Sequence, residues 1–384
     1  MAQSPIIQSA YAPHPTLTMK AAVWNGARDI AIDDVPKPII TAPRDAIVHV
    51  THCTICGSDL HMYDGSLDSA MNKGDIMGHE AIGVIEDVGP EVRHLRRGDR
   101  VIIMPVIACG DCFYCAREEY SLCDRTNPSD AMDAMYGHRL AGVLGYTQLC
   151  GGFPGDQAEF CRVPNADLVC VKIPDDVAPK KVLGLADVTV TAWHGCELAE
   201  VGEADIVGVW GCGPVGLSIQ RLAKLRGARK VYAMDRDPNR LRIAESFGMI
   251  PVDVSAAGYR SEISTKHKIM KAVGVEGDSG DTLTDIIKAT RKRGNVALIG
   301  DFFFTTNNFP IGALMEKGIT YIQKLLELVL TGKYDPSWMF TAEDRLENVG
   351  ECYDKFFSHE IPGGLKVVLK TEYGRQLEAA GRYA

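Results

Sequence analysis

Between Asp205 and Gly300, apolar strands alternate with amphipathic helices, and this alternation constrains the fold more tightly than any other feature of the chain. "DIVGVW" is a continuous apolar run, the pattern of a strand buried on both faces. The turn "GCGPVG" leads from it into "GLSIQRLAKLRGA", which has helical spacing and ends at a glycine. "KVYAMD" reads as the next strand and "NRLRIAESFG" as the next helix. "DTLTDIIKATRKRG" followed by "NVALIG" repeats the unit. Strands joined by covering helices build a doubly wound parallel sheet, an α/β architecture.

The turn carries its own chemistry. Gly211, Gly213 and Gly216 stand as G-x-G-x-x-G between a strand and a helix. The first glycine permits the tight turn, and the second lets backbone approach a pyrophosphate. The third lets helix and strand pack closely, while the helix N-terminus faces the phosphates. Alone the motif is weak, but Asp235 ends the following strand, roughly 20 residues on, where a carboxylate can accept hydrogen bonds from ribose hydroxyls. The reading is a nicotinamide dinucleotide site with NAD preferred over NADP. Pro214 and Val215 within the turn and Arg240 beyond it complete the expected cofactor contacts, and Arg236 is the one neighbour that pulls toward NADP.

Upstream the texture differs. From Met19 to about Asp176 the chain is rich in Val, Ile, Gly and Pro, with short runs such as "AIVHV" and "DRVIIMPV". Short strands bounded by turn residues indicate an irregular β domain. The segment before Met19 lacks a basic start with a sustained apolar core, so it reads as a tail rather than a signal peptide. No apolar run approaches the roughly 18 to 20 residues of a membrane helix. A formal charge of -9 leaves no basic footprint for nucleic acid or an anionic membrane. The expected compartment is the reducing cytoplasm, where clustered cysteines hold metal more often than they form disulfides.

Such a cluster is present. Cys109, Cys112, Cys115 and Cys123 follow C-x2-C-x2-C-x7-C, which lets four thiolates converge on one ion. That spacing suits a closed structural zinc, and an iron–sulfur cluster also uses four cysteines. A second constellation is dispersed. "CTICGSDLH" supplies Cys56, Ser58 and His61, and "MGHEAIGVIEDVG" supplies His79 and Glu80. A catalytic zinc needs only three protein ligands and keeps one position open. Cys56 and His79 offer two, and spacing alone does not name the third.

Together "CGSDLH", "GHEAIGVIEDVG", "GDRV", the four-cysteine lobe and "GCGPVGL" resemble the zinc-dependent medium-chain alcohol dehydrogenases. "GGFPGDQAEFCRVPNAD", "LADVTVTAWHG" and "GGLKVVLK" carry a narrower resemblance to the glutathione-independent formaldehyde dehydrogenase and aldehyde dismutase branch. The resemblance implies a GroES-like catalytic domain over residues 19–179, its zinc lobe at 105–125, and a Rossmann domain over 180–322. It further implies a return to the catalytic domain over 323–374, with 375–384 as a tail. It assigns the third catalytic ligand to Asp187, so that Cys56, His79 and Asp187 hold one zinc and the four cysteines another, two per chain. Glu80 then stands behind the ligands, while Ser58 and His61 form a proton relay. The implied activity is hydride transfer between NAD(H) and a small alcohol or aldehyde by a homo-oligomer, dimer or tetramer. The alternatives are a dismutase that retains its NAD, or a weakly active homologue.

That last alternative rests on two apparent shortenings against the family pattern. After "NRLRIAESFG" the chain looks short of one strand and one helix. Because an empty central slot would orphan a row of backbone groups, Ile250 to Val254 is expected to fill it, with the sheet's outer edge lost. A second shortening follows Thr320, where "ITYIQKLLEL" lacks the expected glycine-bearing strand end.

Overall fold

The computed structural model describes residues 12–255, 269–275, 280–299, 321–361 and 363–382. The chain divides into two compact units, one made of Met1–Asp187 with Ile322–Ala384 and the other of Val188–Tyr321.

The first unit is organised by the strand Ala46–Ile55, "AIVHVTHCTI", in which only His49 is not fully buried. It pairs antiparallel with Ala81–Val88, Lys366–Lys370 and Phe160–Val163. Irregularities at Ile47/Val48 and Val50/His52 bend the ladder. Among the described residues this gives a seven-stranded sheet, with Phe160–Val163 off the main path. Its order runs Cys170–Lys172, Arg100–Ile103, Ala81–Val88, Ala46–Ile55, Lys366–Lys370, Phe340–Arg345. The strand pairing brings two chain segments to one end. Cys53 lies opposite Ala81, and the Thr54 N–H donates to the Glu80 carbonyl at 3.0 Å. Cys56 just past one strand and His79 just before the other therefore emerge side by side.

Three expected boundaries move. The strand Pro13–Gly26 begins before Met19, because Asp29–Pro38 offers its backbone a partner, with Thr18 opposite Pro36. Residues 375–379 are not tail, since Glu372–Ala379 is a helix whose N-cap Thr371 accepts the Gly374 N–H at 3.1 Å. The first unit also extends to Asp187 rather than 179, because the helix Pro179–Leu183 packs with it.

The second unit holds a five-stranded parallel sheet among the described residues. Its order is Ile250–Asp253, Lys230–Asp235, Ile206–Trp210, Ile269–Gly274, Thr290–Leu298. Helices Pro214–Leu225, Pro238–Ser246 and Gly280–Ala289 follow strands as the alternation predicts. Together with the first unit this is a GroES-like domain plus a Rossmann-type domain.

The expected placement of Ile250 to Val254 is wrong. Ile250–Asp253 pairs only with Lys230–Asp235 and forms the sheet edge, and Ile250 is 37% exposed. Pro251 explains it, since a proline cannot donate to a ladder on both sides and is confined to edge strands. The central slot belongs to Ile269–Gly274, "IMKAVG", whose Ile269, Ala272 and Val273 are fully buried. The strand counted as missing is thus in place. The helix counted as missing falls on residues 256–268, and the shortening around Thr320 on 300–320, both outside the described residues. One boundary also shifts, because Thr290 to Gly294 continues "ATRKRG" as strand, with a bulge between Ile269 and Lys271 opposite it.

Candidate active site and metal centres

Cys56 is the N-cap of the helix Gly57–Tyr63. Its N–H donates to Asp59 Oδ2 at 2.9 Å, the reciprocal arrangement of a capping box, which fixes the entry angle of the chain. Cys56 Sγ lies 3.9 Å from Asp187 Oδ2, and His79 Nε2 lies 3.8 Å from the same oxygen. Ligand atoms of Cys56, His79, Glu80 and Asp187 all fall within 4.8 Å of one another. Thiolate, imidazole and carboxylate around a tetrahedral zinc would stand about 3.4 to 3.6 Å apart, given bond lengths of about 2.0 to 2.3 Å. The observed spacings exceed this by a few tenths of an ångström, so the three groups fit the ion.

The surroundings favour positive charge at this point. Burial works to lower the His79 pKa, but the Asp59 carboxylate and the Cys56 sulfur together outweigh it and pull the imidazole well above its ordinary value. His79 Nδ1 stands 3.3 Å from Asp59 Oδ1, and Ser58 Oγ stands 3.2 Å from His79 Nε2. Burial pushes the Cys56 thiol up. His61 follows Ser58 by one turn of the same helix and is half-buried.

Behind these three groups lies an ion pair with no signature recognised in the sequence. Glu80 and Lys366 are each 2% exposed and salt-bridged, and Thr54 Oγ1 donates to the same Glu80 oxygen. Burial alone would raise the Glu80 pKa, yet the Lys366 ammonium, with His79 and Thr54, holds it below the usual carboxylate range. Lys366 in turn is raised above its ordinary value, burial being outweighed by Cys56 and Glu80. A lysine opening the apolar run "KVVLK" was the available signal. Asp59 was equally legible, three residues after Cys56.

The four lobe cysteines converge as expected. Cys109 and Cys115 sulfurs are 3.8 Å apart, and those of Cys112 and Cys123 are 3.9 Å apart. A tetrahedron of thiolates at about 2.3 Å from zinc has edges of about 3.8 Å. Backbone N–H groups of Cys109, Asp111 and Cys115 point at three of the sulfurs, an arrangement that would stabilise thiolates on a bound ion. All four sit in a buried cluster with Ala108 and Ala141.

In the second unit, Gly211 takes φ +98°, and a Cβ on Gly216 would collide with the Gly211 carbonyl oxygen. Gly213 caps the helix Pro214–Leu225, with Pro214 and Val215 in its first turn. Asp235 ends its strand buried, with Oδ2 accepting the Cys212 N–H at 2.6 Å and Oδ1 the Asp237 N–H at 2.8 Å. The carboxylate therefore also braces the glycine turn, a role not foreseen. Arg240 lies on the helix Pro238–Ser246, with Nε 3.7 Å from Asp237.

Two known families cover this chain. The alcohol dehydrogenase GroES-like domain matches residues 42–175, and the zinc-binding dehydrogenase family matches residues 214–330. The class is thus that of two-domain, zinc-binding dehydrogenases. More particularly, the chain belongs to the zinc-dependent medium-chain alcohol dehydrogenase family. A zinc-type alcohol dehydrogenase-like protein of Schizosaccharomyces pombe is 40% identical over 91% of this chain and 90% of its own length. The structure of an alcohol dehydrogenase from Thermus sp. ATN1 superposes with a TM-score of 0.79 at 30% identity, covering 92% of this chain and 100% of its own. The narrower likeness is weaker. A glutathione-independent formaldehyde dehydrogenase of Pseudomonas aeruginosa is 32% identical over only 62% of this chain and 59% of its own length. Among the described residues, no helix is long and apolar enough to cross a membrane.

Proposed function

We propose that this protein is a zinc-dependent oxidoreductase that moves hydride between NAD(H) and a small alcohol or aldehyde. The observation that carries the reading is the convergence of Cys56, His79 and Asp187, three residues far apart in sequence, on one point. In this reading they hold a catalytic zinc, and Cys109, Cys112, Cys115 and Cys123 hold a structural one. When bound, the catalytic ion supplies Lewis acidity to the substrate oxygen, and the nicotinamide cofactor supplies or takes the hydride.

The protein's own residues do the rest. Ser58 Oγ, beside the ligand histidine, takes the substrate hydroxyl proton during oxidation, and His61, one turn along the helix and partly exposed, passes it toward solvent. Asp59 fixes the His79 ring, as metal-bound histidines require of their outer partners. Glu80 adds negative charge behind the ligands without leaving the ion pair with Lys366. The glycine turn receives the pyrophosphate. Each Asp235 oxygen keeps a lone pair for a ribose hydroxyl, which supports NAD over NADP. All twelve cysteines lie in described residues and none is in a disulfide, in keeping with a reducing cytoplasmic setting.

The test combines elemental analysis with a panel of primary alcohols and aldehydes and either cofactor. Two zinc ions per chain and NAD-linked turnover are expected, with both turnover and one zinc lost in Cys56→Ser. Turnover that survives Cys56→Ser would remove the reading.

A further inference from the structure

We propose that Tyr146 is a specificity-determining residue, an aromatic wall beside His79 that restricts the enzyme to short, unbranched substrates. The inference rests on the assignment of His79 as a metal ligand. The Tyr146 ring stands edge-on to the His79 imidazole, 5.8 Å between centroids at 90°. A close backbone contact brings the two residues together. Gly145, at φ +57°, presses onto Gly78, and a Cβ on Gly145 would run into the Gly78 backbone. Gly78 immediately precedes His79, so a glycine-to-glycine contact places the next residue of each segment side by side.

The segment is held on both sides of that contact. Leu144 N–H donates to the Pro105 carbonyl at 3.0 Å and Gly145 N–H to the Phe153 carbonyl at 2.9 Å. Gln148 Nε2 reaches both oxygens of Asp75, at 2.9 and 3.0 Å. Tyr146 itself packs on a small core of Met132, Leu140 and Cys150. A side chain fixed by a core on one side and a ligand histidine on the other cannot swing aside for a larger substrate. A molecule whose oxygen meets an ion at His79 has its carbon substituents in that neighbourhood. The recognised class is therefore a primary alcohol or aldehyde with few carbons.

Tyr146→Ala and Tyr146→Phe decide the matter. In the alanine variant, kcat/KM for benzyl alcohol relative to ethanol is expected to rise at least ~10-fold, the scale on which apolar pocket volume discriminates substrates. The phenylalanine variant keeps the ring and should keep the parent's ratio. A second readout does not use turnover. With NADH present, calorimetry should show cyclohexylformamide, an unreactive aldehyde analogue, gaining affinity over formamide in the alanine variant alone. Zinc content should stay at the parent's value in both variants. An unchanged selectivity ratio in Tyr146→Ala, or a loss of zinc from it, would overturn the proposal in favour of a purely supporting role. A parent that turns over no alcohol would instead count against the dehydrogenase reading, and the amide affinities would still decide on Tyr146.

Discussion

Replacing Lys366 by Met removes the cation that faces Glu80 while preserving the volume and apolar stem of the side chain. Both groups are buried to 2% exposure; Lys366 and Thr54 share Glu80 Oε2, and Oε1 has no hydrogen-bond partner of its own. Breaking a buried pair from one side costs about 3 to 5 kcal/mol. An independent ceiling comes from protonation. Glu80 can escape its uncompensated charge by taking a proton, which at pH 7.5 costs about 1.4 kcal/mol for each of roughly three units above its reference pKa, or about 4 kcal/mol. The two routes agree. For a unit of this size that loss lowers the thermal midpoint by about 8 to 16 °C. The sign with pH follows: in the variant, folded Glu80 binds a proton that the unfolded chain has shed. The penalty therefore shrinks as pH falls toward the unfolded carboxylate value, by about 1.4 kcal/mol per unit. In the parent, Glu80 is depressed instead, so its contribution is present above the unfolded value and lost as pH falls through the folded one. Urea unfolding followed by tryptophan fluorescence at several pH values measures the loss and its pH dependence, and a thermal melt measures the midpoint. Lys366→Met combined with Glu80→Gln should recover most of the loss. A single-variant loss under about 1 kcal/mol, or a double variant no better than the single, would refute the argument.

Asp156 is fully buried with no side-chain hydrogen-bond partner on either carboxylate oxygen, and burial pushes its pKa up to about 8. Folding then favours its neutral form, so stability should fall between about pH 4 and pH 8, and Asp156→Asn should gain on the parent across that window by roughly 1 kcal/mol per unit in denaturant titrations. Gly216→Ala should lower NADH affinity at least ~10-fold by fluorescence titration and cost about 1 to 3 kcal/mol, because the new Cβ meets the Gly211 carbonyl. Cys112→Ser should drop zinc from two to one per chain by mass spectrometry while leaving the ion at Cys56; loss of both ions would show that the lobe is not an independent site.

What the sequence made legible was local. The glycine turn and the cysteine quartet each announce their chemistry within a few residues, and Cys56 and His79 each sit in a short motif of their own. Asp187 did not, since a lone aspartate in "GLADVTV" has no signature of its own and was reached only through family resemblance. Lys366 was hidden because a lysine opening an apolar strand is ordinarily a solvated end, and only the pairing of Val367 with Ile55 buries it beside Glu80. Tyr146 depends on two glycines meeting across the fold, a contact of backbone shape that no spacing encodes. The exchange of Ile250–Asp253 for Ile269–Gly274 has a plainer cause. Lys271 interrupts the apolar run of the true central strand, whereas "IPVDV" looks more strand-like until Pro251 is weighed.

The strand Lys366–Lys370 closes against Ala46–Ile55, with Val368 opposite Thr54 and Leu369 opposite Cys53. The first unit is therefore interrupted by the whole of the second, and its central ladder joins segments made before and after it. Until that late strand arrives, Glu80 has no counter-charge and Ala46–Ile55 keeps an open edge, the kind of exposed ladder that recruits wrong partners. The Rossmann unit is made of consecutive sequence and can mature first. On the ribosome, the end of the sheet that carries Cys56 and His79 is completed only after the second unit has been made, and chaperone dependence should concentrate in the interval before residue 366 emerges.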